Sequence, residues 1–112
     1  TDLNPSENYY LMKLLNLKFI ALTYDTGNSA YWGFDQKIEL NLLHRYIKHV
    51  HIKDCTPKQY SVEFGKGNVN FKFIFDFFKR KKFNGIYVLQ GYKSKNYILD
   101  IKKQLKFMKR FI

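Results

Sequence analysis

Apolar and polar positions alternate along this chain with two distinct periods. Tyr10, Leu11, Leu14 and Leu15 recur at helical spacing after Asn4-Pro5-Ser6-Glu7, so a helix is expected from about residue 5 to residue 15, ended by Asn16. The short apolar run from Phe19 to Tyr24 then predicts a strand, and residues 26–34, rich in Gly, Ser and aromatics, predict a loop. Asp35 is a candidate N-cap for an amphipathic helix carrying Ile38, Leu42, Leu43, Tyr46 and Ile47. A second strand is expected at about His49 to Lys53, followed by a long connection over 54–69. Asn70 can cap a helix in which Phe71, Ile74, Phe75 and Phe78 fall at i, i+3, i+4 and i+7. Asn84-Gly85 ends it, Ile86 to Gln90 predicts a third strand, and a last helix is expected from about Asn96 to Arg110, striped by Ile98, Ile101, Leu105 and Met108.

The order is a helix and then strand and helix three times. Crossovers of this length join parallel strands, so the class is α/β with a parallel sheet. Nothing in the pattern marks a linker or a second domain. Each strand delivers a polar group at its carboxyl end: Asp25 after the first, His51 in the second, Gln90 after the third. Parallel α/β folds carry their functional groups at these ends and in the loops that follow. Dinucleotide binding is not indicated, because Gly65-Lys66-Gly67 lacks a third glycine and follows an extended loop rather than a strand.

Composition changes this picture in three places. The chain has 112 residues, 46% of them hydrophobic and 19% aromatic, which is enough for a core. No apolar run approaches the roughly 18 residues of a membrane span, and a single cysteine, Cys55, with no visible signal peptide fits a reducing cytoplasm. The net charge of +11 comes mostly from Lys scattered over polar helix faces, together with the Asn, Ile, Phe and Tyr that an AT-rich coding sequence produces. The run Lys79-Arg80-Lys81-Lys82 falls in the last turn of a helix, where cations complement the helix dipole. Nucleic acid is therefore not the expected partner.

Four motifs in order carry a resemblance: Tyr24-Asp25-Thr26-Gly27-Asn28, Val50-His51-Ile52-Lys53-Asp54, Phe64-Gly65-Lys66-Gly67-Asn68-Val69-Asn70-Phe71 and Tyr87-Val88-Leu89-Gln90. From about residue 19 onward the chain resembles the last three βα units of the xylose-isomerase-like TIM barrels, and within them the sugar-phosphate isomerase and epimerase group. The resemblance implies the C-terminal portion of a (β/α)8 barrel acting on a sugar or sugar phosphate. It implies proton transfer beside a carbonyl through an enediolate stabilised by a divalent metal, whether Mn²⁺, Zn²⁺, Co²⁺ or Mg²⁺. The implied ligand set is two Glu, one Asp and one His. The Asp matches Asp25 and the His matches His51. One Glu would lie on an earlier strand, and the other position is occupied by Gln90, a neutral oxygen donor that cannot act as a carboxylate base.

Around these ligands, Asn28, His49, Lys53, Asp54, Lys66 and Lys93 are candidate substrate-binding residues. His49 alternates with His51 and so shares its sheet face. Asp25 also suits an Asx-type turn, since Gly27 and Asn28 follow. The amides around Lys66 could approach a phosphate, or form a plain turn. Tyr31, Trp32 and Phe34 could wall a pocket but are expected to pack beneath a loop, His44 to be solvated and Cys55 to be inert. Two other functions stay open: a non-catalytic binding module with a decayed metal site, and an endonuclease-like relative. The chain opens with Thr1, which suggests a processed or partial product. Three strands leave two unpaired edges, with Leu22, Val50 and Val88 expected on an unwalled inner face. The chain is therefore expected to oligomerise or to pair with the N-terminal part of a barrel, and to be inactive alone.

Overall fold

The computed structural model describes residues 3–111. Helix α1 (Pro5–Leu15) starts where Asn4 accepts the amides of Ser6 and Glu7 while Glu7 accepts that of Asn4, a reciprocal capping box. Asn16, in the left-handed region at φ 41°, ends it. Then follow β1 (Leu22–Asp25), α2 (Thr26–Trp32), α3 (Gln36–Leu43), β2 (Ile47–Ile52), α4 (Phe71–Arg80), β3 (Ile86–Leu89) and α5 (Tyr97–Met108). The three strands pair in parallel in the order β1-β2-β3, an open sheet with one outer edge at β1 and another at β3. Asp35, Asn70 and Asn96 each cap a following helix through a side-chain oxygen.

Register fixes which residues share a face. Thr23, His49 and Ile86 stand abreast, then Tyr24, Val50 and Tyr87, then Asp25, His51 and Val88. The row of Tyr24, Val50 and Tyr87 faces the helices. Tyr24 packs edge-on to Phe78 of α4 and Tyr87 packs on Phe75, with ring centroids 6.2 and 5.3 Å apart. Phe71, Ile74, Phe75, Phe77 and Phe78 of α4 are all buried, and each such side chain contributes roughly 1.5–3 kcal/mol, so α4 is the main anchor of the helical layer. α5 joins it through Phe107 on Phe71 and, just beyond the helix, Phe111 stacked on Phe75.

Several expectations are corrected. Residues 26–32 form a helix rather than a loop, because Asp25 caps its start and Gly33, at φ 71°, ends it. β1 begins at Leu22, not Phe19, which is exposed. α3 stops at Leu43 and Ile47 already belongs to β2, because a bulge at Leu22/Thr23 draws the pairing back to Ile47. Val50 is fully buried against the helices and Leu22 packs on the same core, so neither lies on the open face. Thr23, His49, Ile86 and Val88 occupy it instead, as strand alternation requires once His49 and His51 face that way. The flanking helices also turn their apolar stripes outward. α1 buries Asn8 and Met12 while Leu14 is 83% exposed, and in α5 Ile98, Ile101 and Leu105 are all exposed. Lys79 to Lys82 are solvated at the end of α4, and no described helix is long and apolar enough to cross a membrane.

Candidate functional site

Asp25 stands where β1 passes into α2, and its two carboxylate oxygens divide their work. Oδ1 accepts the Asn28 N–H at 2.8 Å, capping the helix. Oδ2 lies 3.9 Å from Nδ1 of His51, the residue beside it in the register. The Asx-turn reading and the ligand reading of Asp25 therefore coexist in one side chain. The turn fixes the carboxylate and leaves an oxygen directed at the histidine. Metal–ligand bonds of about 2.0–2.2 Å span donor separations from about 3 Å to just over 4 Å, so this pair fits two ligands of one cation. Among the described residues, however, no group of three or more His, Cys, Asp or Glu is gathered to hold a metal. His49 is solvent-exposed on the same face, next to Thr23.

The strand ends are locked together from behind. The Thr26 hydroxyl donates to the Lys53 carbonyl at 2.6 Å and accepts the Lys53 N–H at 3.0 Å, bridging the ends of β1 and β2. Gly27 allows this approach, since a Cβ there would sit 2.7 Å from both the Cys55 sulfur and the Lys53 side chain. Lys53 itself is only 4% exposed, with Nζ 3.1 Å from the centre of the Tyr60 ring, a cation–π contact. The buried Cys55 thiol donates to the Tyr60 carbonyl, and burial pushes it up to about 11, which leaves it protonated and unreactive at neutral pH.

Asp54 and the glycine loop form a second unit. The fully buried Asp54 carboxylate accepts the backbone amides of Gly65, Gly67 and Val69 at 2.7, 3.0 and 3.3 Å. Burial raises its pKa, and those donors oppose the rise. Two of the amides that seemed free to approach a phosphate are thus turned inward, and Asp54 organises the loop from within. Lys66 is exposed on that loop. Lys93 lies beyond β3 near the Tyr97 ring, and Gln90, whose N–H continues the ladder to Ile52 O at 2.9 Å, lines a depression with both. Gln90 does not line the cavity that Asp25 and His51 share. Of the three strand-end groups, two are brought together and the third stands apart.

That cavity, about 400 Å³, runs along β1 and is lined by Asp25, Asn28 and His51 together with Trp32, Phe34 and Glu39. Glu39 is an addition to the sequence reading. Trp32 and Phe34 wall the cavity, whereas Tyr31 packs between Trp32 and Tyr60 with both ring centroids 5.3 Å away. Glu39 is a buried carboxylate on α3 that accepts the Ser29 hydroxyl at 2.5 Å, and burial raises its pKa. The Tyr24 hydroxyl is also pushed up, by burial and then by the Glu39 charge, and Asn28 Oδ1 is buried without a hydrogen-bond partner. One signal could have found Glu39: it lies four residues before Leu43, in phase with the buried stripe of its helix.

Comparison with known proteins agrees with this architecture. Over 47 residues the chain is 45% identical to the inosose dehydratase of Geobacillus kaustophilus (strain HTA426), a match that covers 39% of this chain and 14% of that protein. The aligned stretch is thus a small part of the relative's length. The sequence profile of the xylose isomerase-like TIM barrel family matches residues 3–111, nearly the whole chain. With three parallel βα units and its polar groups at the strand carboxyl ends, this chain belongs to the xylose isomerase-like TIM barrel family.

Proposed function

We propose that this segment forms part of the site of a metal-dependent isomerase or epimerase acting on a sugar or sugar derivative. The observation that carries the reading is the Asp25–His51 pair, 3.9 Å apart at adjacent strand ends, with Asp25 Oδ1 fixed by the Asn28 amide and Oδ2 left toward the histidine. Asp25 and His51 would hold a divalent ion, which when bound would polarise a substrate carbonyl and ease loss of the neighbouring proton. The Thr26–Lys53 bridge keeps the two strand ends in register, so the donors meet the ion preorganised. No carboxylate stands at Gln90, so the groups that remove and return the proton would come from elsewhere in the barrel.

Dehydration is the second reading, favoured by the likeness to a protein named for dehydrating inosose. It begins with the same proton loss and differs in expelling a hydroxyl. Both readings share the metal test. In the protein that contains this segment, Asp25→Ala and His51→Ala should each weaken Mn²⁺ or Zn²⁺ binding by about 10- to 100-fold or more. Calorimetric titration decides, and unchanged affinity in both variants removes the assignment.

A further inference from the structure

We propose that the end of the molecule facing away from the Asp25–His51 pair docks on an anionic lipid bilayer, its cations meeting the headgroups and Leu17 and Phe19 entering the acyl boundary. In a parallel sheet each crossover returns the chain from the carboxyl end of one strand to the amino end of the next, so helix ends and strand starts share one face. On that face the strand starts adjoin. The Leu22 N–H donates to the Tyr46 carbonyl at 2.8 Å, and a Cβ at Gly85 would strike the Lys48 carbonyl. The ends of α3 and α4 meet there too. The His44 ring packs edge-on to Phe77, and Lys81 Nζ lies 5.7 Å from the centre of the same ring.

Three separate segments bring exposed cations to this face: Lys13 and Lys18 from α1 and the turn after it, Arg45 and Lys48 from the passage into β2, and Lys79 to Lys82 from the end of α4. Nothing beside them in sequence neutralises them, since residues 8–24, 40–53 and 77–99 contain neither Asp nor Glu. Among the described residues none of these cations forms an ion pair, and Asp76, midway along α4, is held by Lys72 at 2.6 Å. Glu7, Glu39 and Asp100 open helices, and Asp25 and Asp54 stand at strand carboxyl ends, toward the opposite face. A biased composition sets how many lysines a chain has, not which end they occupy. Helix dipoles favour Lys13 and Lys79 in last turns, but not Lys18 and Lys48, which lie outside any helix. The turn between α1 and β1 selects among polyanions. Leu17 and Phe19 flank Lys18 there, both exposed, Phe19 to 84%. Nucleic-acid phosphates would engage the cations and give Leu17 no apolar partner. An anionic bilayer takes both kinds of group, because its headgroups attract the cations and its acyl boundary receives the apolar side chains.

The test sediments the full-length protein containing this segment with vesicles of phosphatidylcholine, alone or with about 30% phosphatidylserine, at about 0.1 M and about 0.5 M NaCl. The mixed vesicles should bind it about 10-fold or more tighter than the neutral ones, and high salt should abolish the preference. Lys18→Gln, Lys48→Gln and Lys79→Gln together should weaken that binding about 10-fold or more. Lys37→Gln, Lys58→Gln and Lys95→Gln together remove the same charge from the helix start and loops at the strand carboxyl ends, and should weaken it less than about 3-fold. Leu17→Ser with Phe19→Ser should weaken it about 10-fold. All these side chains are exposed, so the melting temperature should stay unchanged in each variant. Equal binding to both kinds of vesicle overturns the proposal, as do equal losses in the two triple variants or an unchanged affinity after loss of Leu17 and Phe19. Tighter binding of a single-stranded oligonucleotide than of the mixed vesicles overturns it in favour of nucleic acid.

Discussion

At the scale of single residues, the site is built from side chains that serve two ends at once. Asp25 caps α2 with one oxygen and faces His51 with the other. Glu39 is the less expected member. A carboxyl group buried beneath α2 loses hydration, and the Ser29 hydroxyl replaces only part of it. Its proton is held more tightly in the folded than in the unfolded chain. It therefore contributes stability that is fully present below the ordinary carboxyl pKa and is lost as pH rises through the raised folded value. Glu39→Gln keeps a partner for Ser29 without the charge. It is expected to raise the melting temperature at pH 7 by roughly 2–5 °C and to leave it unchanged at pH 3.5. Parallel melting curves for the two proteins across that range would refute this account of Glu39.

At the scale of elements, the loop after β2 is folded around a buried acid. Asp54, a candidate substrate-binding residue in the sequence, gathers the amides of Gly65, Gly67 and Val69. Gly67 is the tightest point, since a Cβ there would overlap Asp54 Oδ1 and the Cys55 carbonyl. Gly67→Ala is expected to cost about 1–3 kcal/mol by forcing these apart. Substituting alanine for exposed Lys66 beside it should change stability by less than about 0.5 kcal/mol. Urea denaturation measures both, and a Gly67→Ala midpoint equal to wild type would show that the loop relaxes freely. The helices behave in the same element-by-element way. α4 buries its whole apolar stripe because it sits at the centre of the layer, while α1 and α5 at its flanks do not.

At the scale of the whole molecule, those flanks explain how the chain should behave in solution. The outer edges of β1 and β3 carry unpaired backbone groups, and unpaired edges template association. Leu14 on α1 and Ile98, Ile101 and Leu105 on α5 add exposed apolar surface. The isolated 112 residues are expected to associate as concentration rises, by sedimentation velocity. Leu14→Lys combined with Leu105→Lys should shift them toward monomer without lowering the melting temperature, because neither side chain is part of the core. A wild-type chain that stays monomeric at every accessible concentration would contradict this.

Much of the architecture was legible before any coordinate. Asn4, Asp35, Asn70 and Asn96 announce their helices because capping is local chemistry, settled within four residues. The buried stripe of α4 and the parallel order of the strands follow from periodicity and connection length. The motifs around Asp25 and His51 also led correctly to the family. The α2 helix was legible in principle, from Asp25 and from Gly33 at its end, but its Gly, Ser and aromatic residues have weak helical propensity and tertiary burial of Thr26, Ser29 and Ala30 decides it. Only the tertiary structure separates Gln90 from the Asp25–His51 cavity, turns the Gly65 and Gly67 amides toward Asp54 and brings Glu39 to the cavity wall. The reason is one of range. Periodicity and caps are properties of neighbours in sequence, whereas the partner of a carboxylate eleven or thirteen residues away is chosen by how strands and loops close on one another.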